Sequence, residues 1–385
     1  MSVTYLRPDF AEGFLCDGRA CGSRCCRDWS VWIDPATCGK YHGAEPEEFR
    51  REVCRWLEEQ EEGEGAWVRL REDGRCPYLG EDFLCRIQRE KGEDYLSDLC
   101  FSYPRATCSI GKLRRQTLVL SCPLAARRLL GLQRPLGFLE TQEEEGRWGR
   151  RFDVTELAAP YGEWWQPLAR AGIFFLQQGQ GYLDRRLLLL LLFYEGADEL
   201  WRAGGPEALG SLWAAGAEEG EALPFAPAVP EGWAFRRRLH VEKMMELYHA
   251  LYGSPSQEQR REELLAVYCR GEEAFRREVL GRRGLSLENY LVNEFFMRFY
   301  PFAYGDSLGQ NARIFILAWK MVEFGLRMLA AQQPLDDERF LLGMDRLTER
   351  IDHHRNGMKT VREMAAGMAG GLQFASCLLD AAPDR

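Results

Sequence analysis

The stretch from Phe14 to Trp29, FLCDGRACGSRCCRDW, constrains this chain more than any other. It places Cys16, Cys21, Cys25 and Cys26 within eleven residues and closes on two adjacent thiols. Eleven of the thirteen cysteines lie at or before Cys122, and only Cys269 and Cys377 follow. An odd total and a contiguous Cys25-Cys26 pair sit badly with a disulfide framework. The opening MSVTYLRPDFAEGF lacks the charged start and apolar core of a secretory signal. The longest apolar run, Leu187 to Tyr194, is far short of the ~20 residues that span a bilayer. A cytoplasmic location is therefore expected, where thiols stay reduced and dense cysteines point to metal binding or catalysis.

A chain of 385 residues has room for two domains with a sizeable core. Its net charge of −9 leaves no basic excess for general binding of nucleic acid. The arginines Arg114, Arg127, Arg128 and Arg134 read as a solvated helix face.

In chain order, residues 1–13 read as a short polar lead-in. Asp34-Pro35 opens a helix ending near Gly43. A second helix over 45–60 places Phe49, Val53, Trp56 and Leu57 on one face, and Glu58 to Glu64 form its solvated end and a loop. Asp73-Gly74 reads as a hairpin turn between two short strands, and a further hairpin over 106–121 turns at Gly111-Lys112. Pro123 stands at the first position of another helix. The glutamate run at 141–151 reads as a junction, giving a cysteine-rich domain over 1–140 and a helical domain over 141–385.

Beyond the junction the pattern is helical. A buried helix runs through LLLLLLFYEGADEL, and residues 203–233 form an irregular connection. Val241, Met244, Met245, Tyr248, Leu251 and Tyr252 recur at helical spacing, with Gly253 as the stop. Helices follow over 287–302, 311–331 and 336–354, the last closing at His353-His354. The fold class is mainly α: a small cysteine-rich domain with short strands, then an all-α domain.

The thiols admit two metals. Structural zinc favours paired C-x₂₋₄-C knuckles, but no C-x₂-C occurs, and the histidines lie almost entirely outside the cysteine region. All-thiolate ligation with irregular spacing suits an iron–sulfur cluster at least as well. Several enzyme signatures are absent. Asp28 stands where a C-x₃-C-x₂-C radical motif needs its third cysteine, and there is no glycine-rich phosphate loop, G-x-S-x-G elbow or H-E-x-x-H pair.

The pattern F-x-C-x₄-C-x₃-C-C-R, G-R-C-P-Y-L at Cys76, Leu84-Cys85, L-C-x-x-Y-P-R at Cys100 to Arg105 and L-S-C-P-L-A-A-R at Cys122 resembles the flagellin lysine-N-methylase family. Its N-terminal part is similar to a wider group of cysteine-rich domains described as zinc- or iron-chelating. ENYLVNEFFMRFYPF at 288–302 is similar to a recurring segment of that family's helical part, so the resemblance covers nearly the full length. It implies a [4Fe-4S] cluster and methyl transfer from S-adenosylmethionine to lysine amines of flagellin or a similar protein. By position it assigns Cys16, Cys21, Cys25, Cys26, Cys76, Cys85, Cys100 and Cys122 to metal. Cys38, Cys54 and Cys108 fall outside the pattern and read as small buried hydrophobes. Phe101-Ser102 departs from it, standing where a basic residue is expected beside the cysteine.

Methylating a lysine requires a neutral amine, whose ammonium has an ordinary pKa of about 10.4. Aromatic rings and an acid or phenol are the natural lining. By motif position Tyr103, Arg105 and Tyr290 are the catalytic candidates, and Arg105 and Asn293 the donor-binding ones, the arginine fork suiting a carboxylate. Donor and substrate would lie between the two domains. The competing reading is a non-catalytic zinc- or iron-binding protein whose helices dock a partner.

Overall fold

The computed structural model describes residues 2–29, 31–60, 63–145, 151–178, 182–214, 229, 233–252, 261–353, 357–368 and 370–380. The chain divides into two compact units. The first comprises residues 1–128 and 138–153, the second 129–137 and 154–385. Most of the chain is helical.

In the first unit the strands are β1 (Ser2–Pro8), β2 (Trp32–Ile33), β3 (Leu57–Glu59), β4 (Ala66–Val68), β5 (Arg105–Ile110), β6 (Leu113–Leu118), β7 (Phe138–Glu144) and β8 (Arg151–Asp153). One sheet has five strands in the order β7-β1-β6-β5-β8, the other three in the order β2-β4-β3. β1 pairs parallel with β6, Thr4 opposite Leu113, and antiparallel with β7, Ser2 opposite Glu144. The opening residues are thus an inner strand and not a polar lead-in. The alternation that carries them is short, Val3 and Tyr5 facing inward and almost fully buried.

The helices of this unit are α1 (Gly18–Cys21), α2 (Pro35–His42), α3 (Glu47–Cys54), α4 (Arg86–Lys91), α5 (Asp98–Ser102) and α6 (Pro123–Leu130), the last running past the boundary at residue 128. Asp34 caps α2 by accepting from the Thr37 amide at 2.9 Å, and Gly43 ends it, as the sequence indicates. α3 stops at Cys54, short of the expected end. Leu57–Glu59 are β3 and pair with β4, so the glutamates begin in a strand. Asp73-Gly74 does form a turn, with Gly74 donating to Arg71 O at 2.9 Å, and β4 precedes it, but no strand follows it before β5 among the described residues, Arg75 making only an isolated bridge to Arg27. The hairpin turning at Gly111 is present as β5–β6. Arg114 is buried on β6, paired with Glu145 at 2.7 Å, and is no part of a solvated helix face. Residues 141–144 finish β7, and 146–150 of the glutamate-rich run lie outside the described residues.

The second unit holds α7 (Thr155–Ala158), α8 (Trp165–Leu176), α9 (Leu183–Leu209), α10 (Ser211–Ala214), α11 (Arg237–Tyr252), α12 (Arg261–Phe275), α13 (Gly281–Met297), α14 (Leu308–Gln332), α15 (Asp337–His353), α16 (Gly357–Gly367) and α17 (Gly371–Leu378). α9 is apolar on most sides, and Leu187, Leu188, Leu190 and Leu191 are fully buried. It breaks at Gly205 (φ 64°), ahead of Pro206, then resumes to Leu209 and is followed by α10, so the expected irregular connection over 203–233 is helical to Ala214 apart from that break. Its remainder over 215–228 and 230–232, with Gly253 and His354, lies outside the described residues. In α11, Val241, Met244 and Met245 are buried, whereas Tyr248 is exposed.

α14 begins where Ser307 accepts from the Gln310 amide and Asp198 accepts from the amides of Leu308 and Gly309, at 2.9 and 2.8 Å. A carboxylate there complements the positive helix end. Among the described residues no helix is long and apolar enough to cross a membrane.

Candidate functional site

The cysteine loop is held by its backbone before any side chain acts. α1 is capped by Asp17, whose carboxylate accepts from the Arg19 amide at 3.1 Å, and ended by Gly22 at φ 64°. The loop is stitched to the segment carrying Cys76 and Cys85. The Cys76 amide donates to Cys26 O at 2.8 Å, the Asp28 amide to Gly74 O at 2.9 Å, and the Ser23 hydroxyl to Phe83 O. Any side chain at Gly18 would press on the Phe83 carbonyl, so that crossing requires glycine.

Three further cysteines sit at or just ahead of short helices. Cys85 immediately precedes α4, Cys122 precedes α6, and Cys100 lies in α5, its amide bonded to the Ser97 hydroxyl at 3.2 Å. The backbone N–H groups of Ile87 and Gln88 face the Cys85 thiol, and those of Leu124 and Ala125 face Cys122. Helix N-termini favour thiolate, yet burial dominates at both. It pushes Cys122 up to about 11 and raises Cys85 as well.

Cys25 is the common neighbour. Its Sγ is 4.0 Å from that of Cys26, and the hydrogen bond between the two thiols lowers Cys25 and raises Cys26. Cys25, Cys76 and Cys100 all act on Cys26, while Cys25 and Cys76 act on Cys100 together with Cys85. On another side Cys21 and Cys25 act on both Cys16 and Cys122. Eight thiols therefore fall within electrostatic reach of one another in two sets that share Cys25. Burial followed by such repulsion, from Cys85 and Cys25, pushes Cys76 up to about 12 against the pull of Arg71.

The remaining cysteines of this unit stand apart. Cys38 is buried, with its thiol on Ile33 O at 3.7 Å. Cys54 is only half-buried, 3.7 Å from His42 Nδ1, and Cys108 is buried on β5 beside Arg115. Cys54 is thus less enclosed than the small-hydrophobe reading supposes.

Among the described residues no three His, Cys, Asp or Glu side chains already stand in metal-ligand geometry. The chemistry of the donor set fits an iron–sulfur or zinc centre all the same. It is all sulfur and partly buried, and as thiolates these groups would repel one another, which a bound cation would relieve.

Tyr103 follows α5, with its ring 6.0 Å from Trp29 and its hydroxyl 3.3 Å from Ser121 Oγ, packed between the Cys100 and Cys122 segments. Arg105 donates from Nη2 to Phe14 O at 2.9 Å and lies over the Phe14 ring, fixing the start of the cysteine loop beside Cys16. Tyr290 and Asn293 belong to the second unit, on α13. Asn293 is fully buried, and burial holds the Tyr290 phenol well above its ordinary value.

Sequence reasoning passed over the side chains around Tyr290. These are Glu294 and Arg298, joined by a 2.8 Å ion pair, then Tyr300, and Trp319, whose ring is 5.9 Å from that of Tyr290. The i, i+4, i+8 spacing of Tyr290, Glu294 and Arg298 is the signal that would have found them.

The family model of the FliB lysine N-methylase C-terminal domain matches residues 172–369. The flagellar biosynthetic protein FliU of Salmonella muenchen is 33% identical over 131 residues, which are 33% of this chain and 78% of FliU. Lysine-N-methylases of Salmonella typhimurium and Salmonella choleraesuis are 33% identical over 131 residues, 33% of this chain and 33% of each of theirs. The match thus spans a third of the length of those two relatives. No solved structure gives a significant match. With its family model covering 198 residues, more than half the chain, the protein belongs to the FliB lysine N-methylase family.

Proposed function

We propose that this protein is a protein-lysine N-methyltransferase, taking methyl groups from S-adenosylmethionine, carrying a [4Fe-4S] cluster and acting on flagellin or a similar protein. The observation that carries this reading is the family match over the helical unit, joined to two sets of thiols gathered about Cys25 in the other.

The cluster ligands would be drawn from Cys25, Cys26, Cys76, Cys85 and Cys100, with Cys16, Cys21 and Cys122 as the second set. Such a cluster supplies iron–thiolate bonds that cross-link the loops, together with a redox-active centre. The chain's own residues have separate work. Asp17 and the Gly18 crossing set the loop, and Trp29 Nε1 holds Cys25 O at 2.5 Å. Arg105 keeps Phe14 in place, and its charge makes it the proposed contact for the donor's carboxylate. The substrate amine must be desolvated to lose its proton.

The test is calorimetric titration of S-adenosylmethionine into protein purified without oxygen, with iron and sulfide measured on the same sample. Saturable binding with about four iron and four sulfide per chain is the expected result. Metal without donor binding would overturn the enzyme in favour of a non-catalytic metal module.

A further inference from the structure

The three-stranded sheet of the first unit turns one face to the core and the other to water. Ile33, Ala66 and Val68 are buried beneath it, so the alternating positions Trp32 and Trp67 point outward. Trp32 stands opposite Trp67 across β2–β4, and the exposed Glu58 stands opposite Trp67 across β3–β4. Residues paired in this way share a face, with their Cβ atoms about 5 Å apart. The outer face is thus a row of indole, indole and carboxylate.

The row is held rigid from below. The two indoles meet edge to face with centroids 5.0 Å apart. The Trp32 ring lies across Gly65, where a Cβ would come within 2.7 Å of its Cζ2. Trp67 is nevertheless 41% exposed. A fixed indole left in water is the side chain in which binding surfaces are richest.

Charge selects what it binds. A third tryptophan of this unit, Trp56, already carries the guanidinium groups of Arg55 and Arg69 over its ring, 5.2 and 5.3 Å from the centroid. Among the described residues no lysine or arginine lies over Trp32 or Trp67. Glu59 is paired with His42 at 3.1 Å, whereas the Glu58 carboxylate has no ion pair among the described residues. The segment from Glu58 to Glu64 reads EEQEEGE, five glutamates in seven positions. The open row therefore complements a cation, and its indole faces favour one that sheds water readily.

We propose that the outer face of this sheet holds methylated lysine side chains of the protein substrate, the ammonium resting on the Trp67 ring beside Trp32 with Glu58 as its counter-charge. Methylation replaces the N–H groups that bind water, so a methylated ammonium gains more from an indole face than an unmodified one. The assignment rests on the lysine-methylation reading, and it gives the protein a means to retain a substrate that carries several target lysines.

The experiment is ¹⁹F NMR on the full chain labelled with 5-fluorotryptophan, the Trp67 resonance being identified by its absence in Trp67→Phe. The probes are the acetylated amide of trimethyllysine, the same amide of unmodified lysine, and an uncharged analogue with a tert-butyl group in place of trimethylammonium. All are titrated at fixed ionic strength. The expected result is a saturable shift of Trp67 with the trimethyl form, several-fold weaker with lysine and absent with the tert-butyl analogue. Glu58→Gln changes one exposed side chain and should weaken binding about threefold, the scale of a solvated ion pair. No shift at Trp67, an equal response to the tert-butyl analogue, a preference for unmodified lysine, or unchanged binding in Glu58→Gln would each overturn the proposal. A Trp67 shift that follows protein concentration alone would also overturn it, by marking a face between copies of this chain. The probe brings its own methyl groups, so neither donor nor metal is needed. Probe binding by protein that transfers no methyl group would sink the enzyme and spare the surface, and methyl transfer without probe binding would do the reverse.

Discussion

In the first unit the polar chemistry taken out of water is a set of thiols gathered around Cys25, whose thiolate forms would repel one another. In the second, Lys320 is 1% exposed yet lies 2.5 Å from Asp184 and 2.6 Å from Glu323, which also pairs with Arg327. The helical unit thus supplies its own counter-charges, while the eight gathered thiols have Arg71, Arg89 and Arg105 near them. One core is electrostatically closed; the other, on the proposed reading, would be completed by a bound metal. Their stabilities should therefore respond to different reagents.

The largest effect should come from the thiols. Cys25→Ser and Cys26→Ser are expected to lose bound metal and the cooperative melting of the first unit, while Cys38→Ser keeps both. Metal content and scanning calorimetry measure this, and equal metal in all three variants would overturn the ligand assignment. The helical transition should persist throughout.

Next is Lys320→Met, which strands Asp184 in the helical core and leaves Glu323 with Arg327 alone. Breaking a buried pair in this way costs about 3–5 kcal/mol. Urea unfolding should show that loss in the helical transition with the metal retained.

The smallest effect concerns acid. His240 is buried, with its Nδ1 3.2 Å from Cys377 O, and burial together with Lys320 and Arg327 holds it down at about 3. Unfolded, it would take a proton near its ordinary pKa of 6.5. Between those values only the unfolded state is protonated, so stability falls by about 1.4 kcal/mol per pH unit as pH drops below 6.5. Glu323 adds to this lower down. Burial pushes it up, but Lys320 and Arg327 overcome that and hold it at about 2, so its contribution is lost as pH falls from 4.5. His240→Gln should flatten the profile between pH 6 and 4, read from the helical transition alone.

The sequence announces its strongest periodicities well. Asp34-Pro35, the β5–β6 hairpin and the apolar helices α9 and α14 are legible because each is fixed by neighbours within a few positions. β1 and β7 are not, since their partners lie more than a hundred residues away and their outward positions are polar. In the candidate metal centre the eight positions come from motif resemblance, but the two sets sharing Cys25 follow only from how the loops cross. The cluster around Tyr290 was half visible. Its helix face lies in one segment, while Trp319 arrives from the next helix and Tyr300 from a turn whose φ no pattern foretells.

The five-stranded sheet has a consequence for synthesis. β1 leaves the ribosome well before its neighbours β6 and β7, which begin at Leu113 and Phe138. Every cysteine of the two sets emerges before β7. A nascent chain more than a hundred residues long thus waits with its thiols uncovered and an inner strand unpaired. The interval in which these thiols are open to oxidation, and would be open to delivery of the proposed metal, is set by the translation time from Cys16 to Glu144.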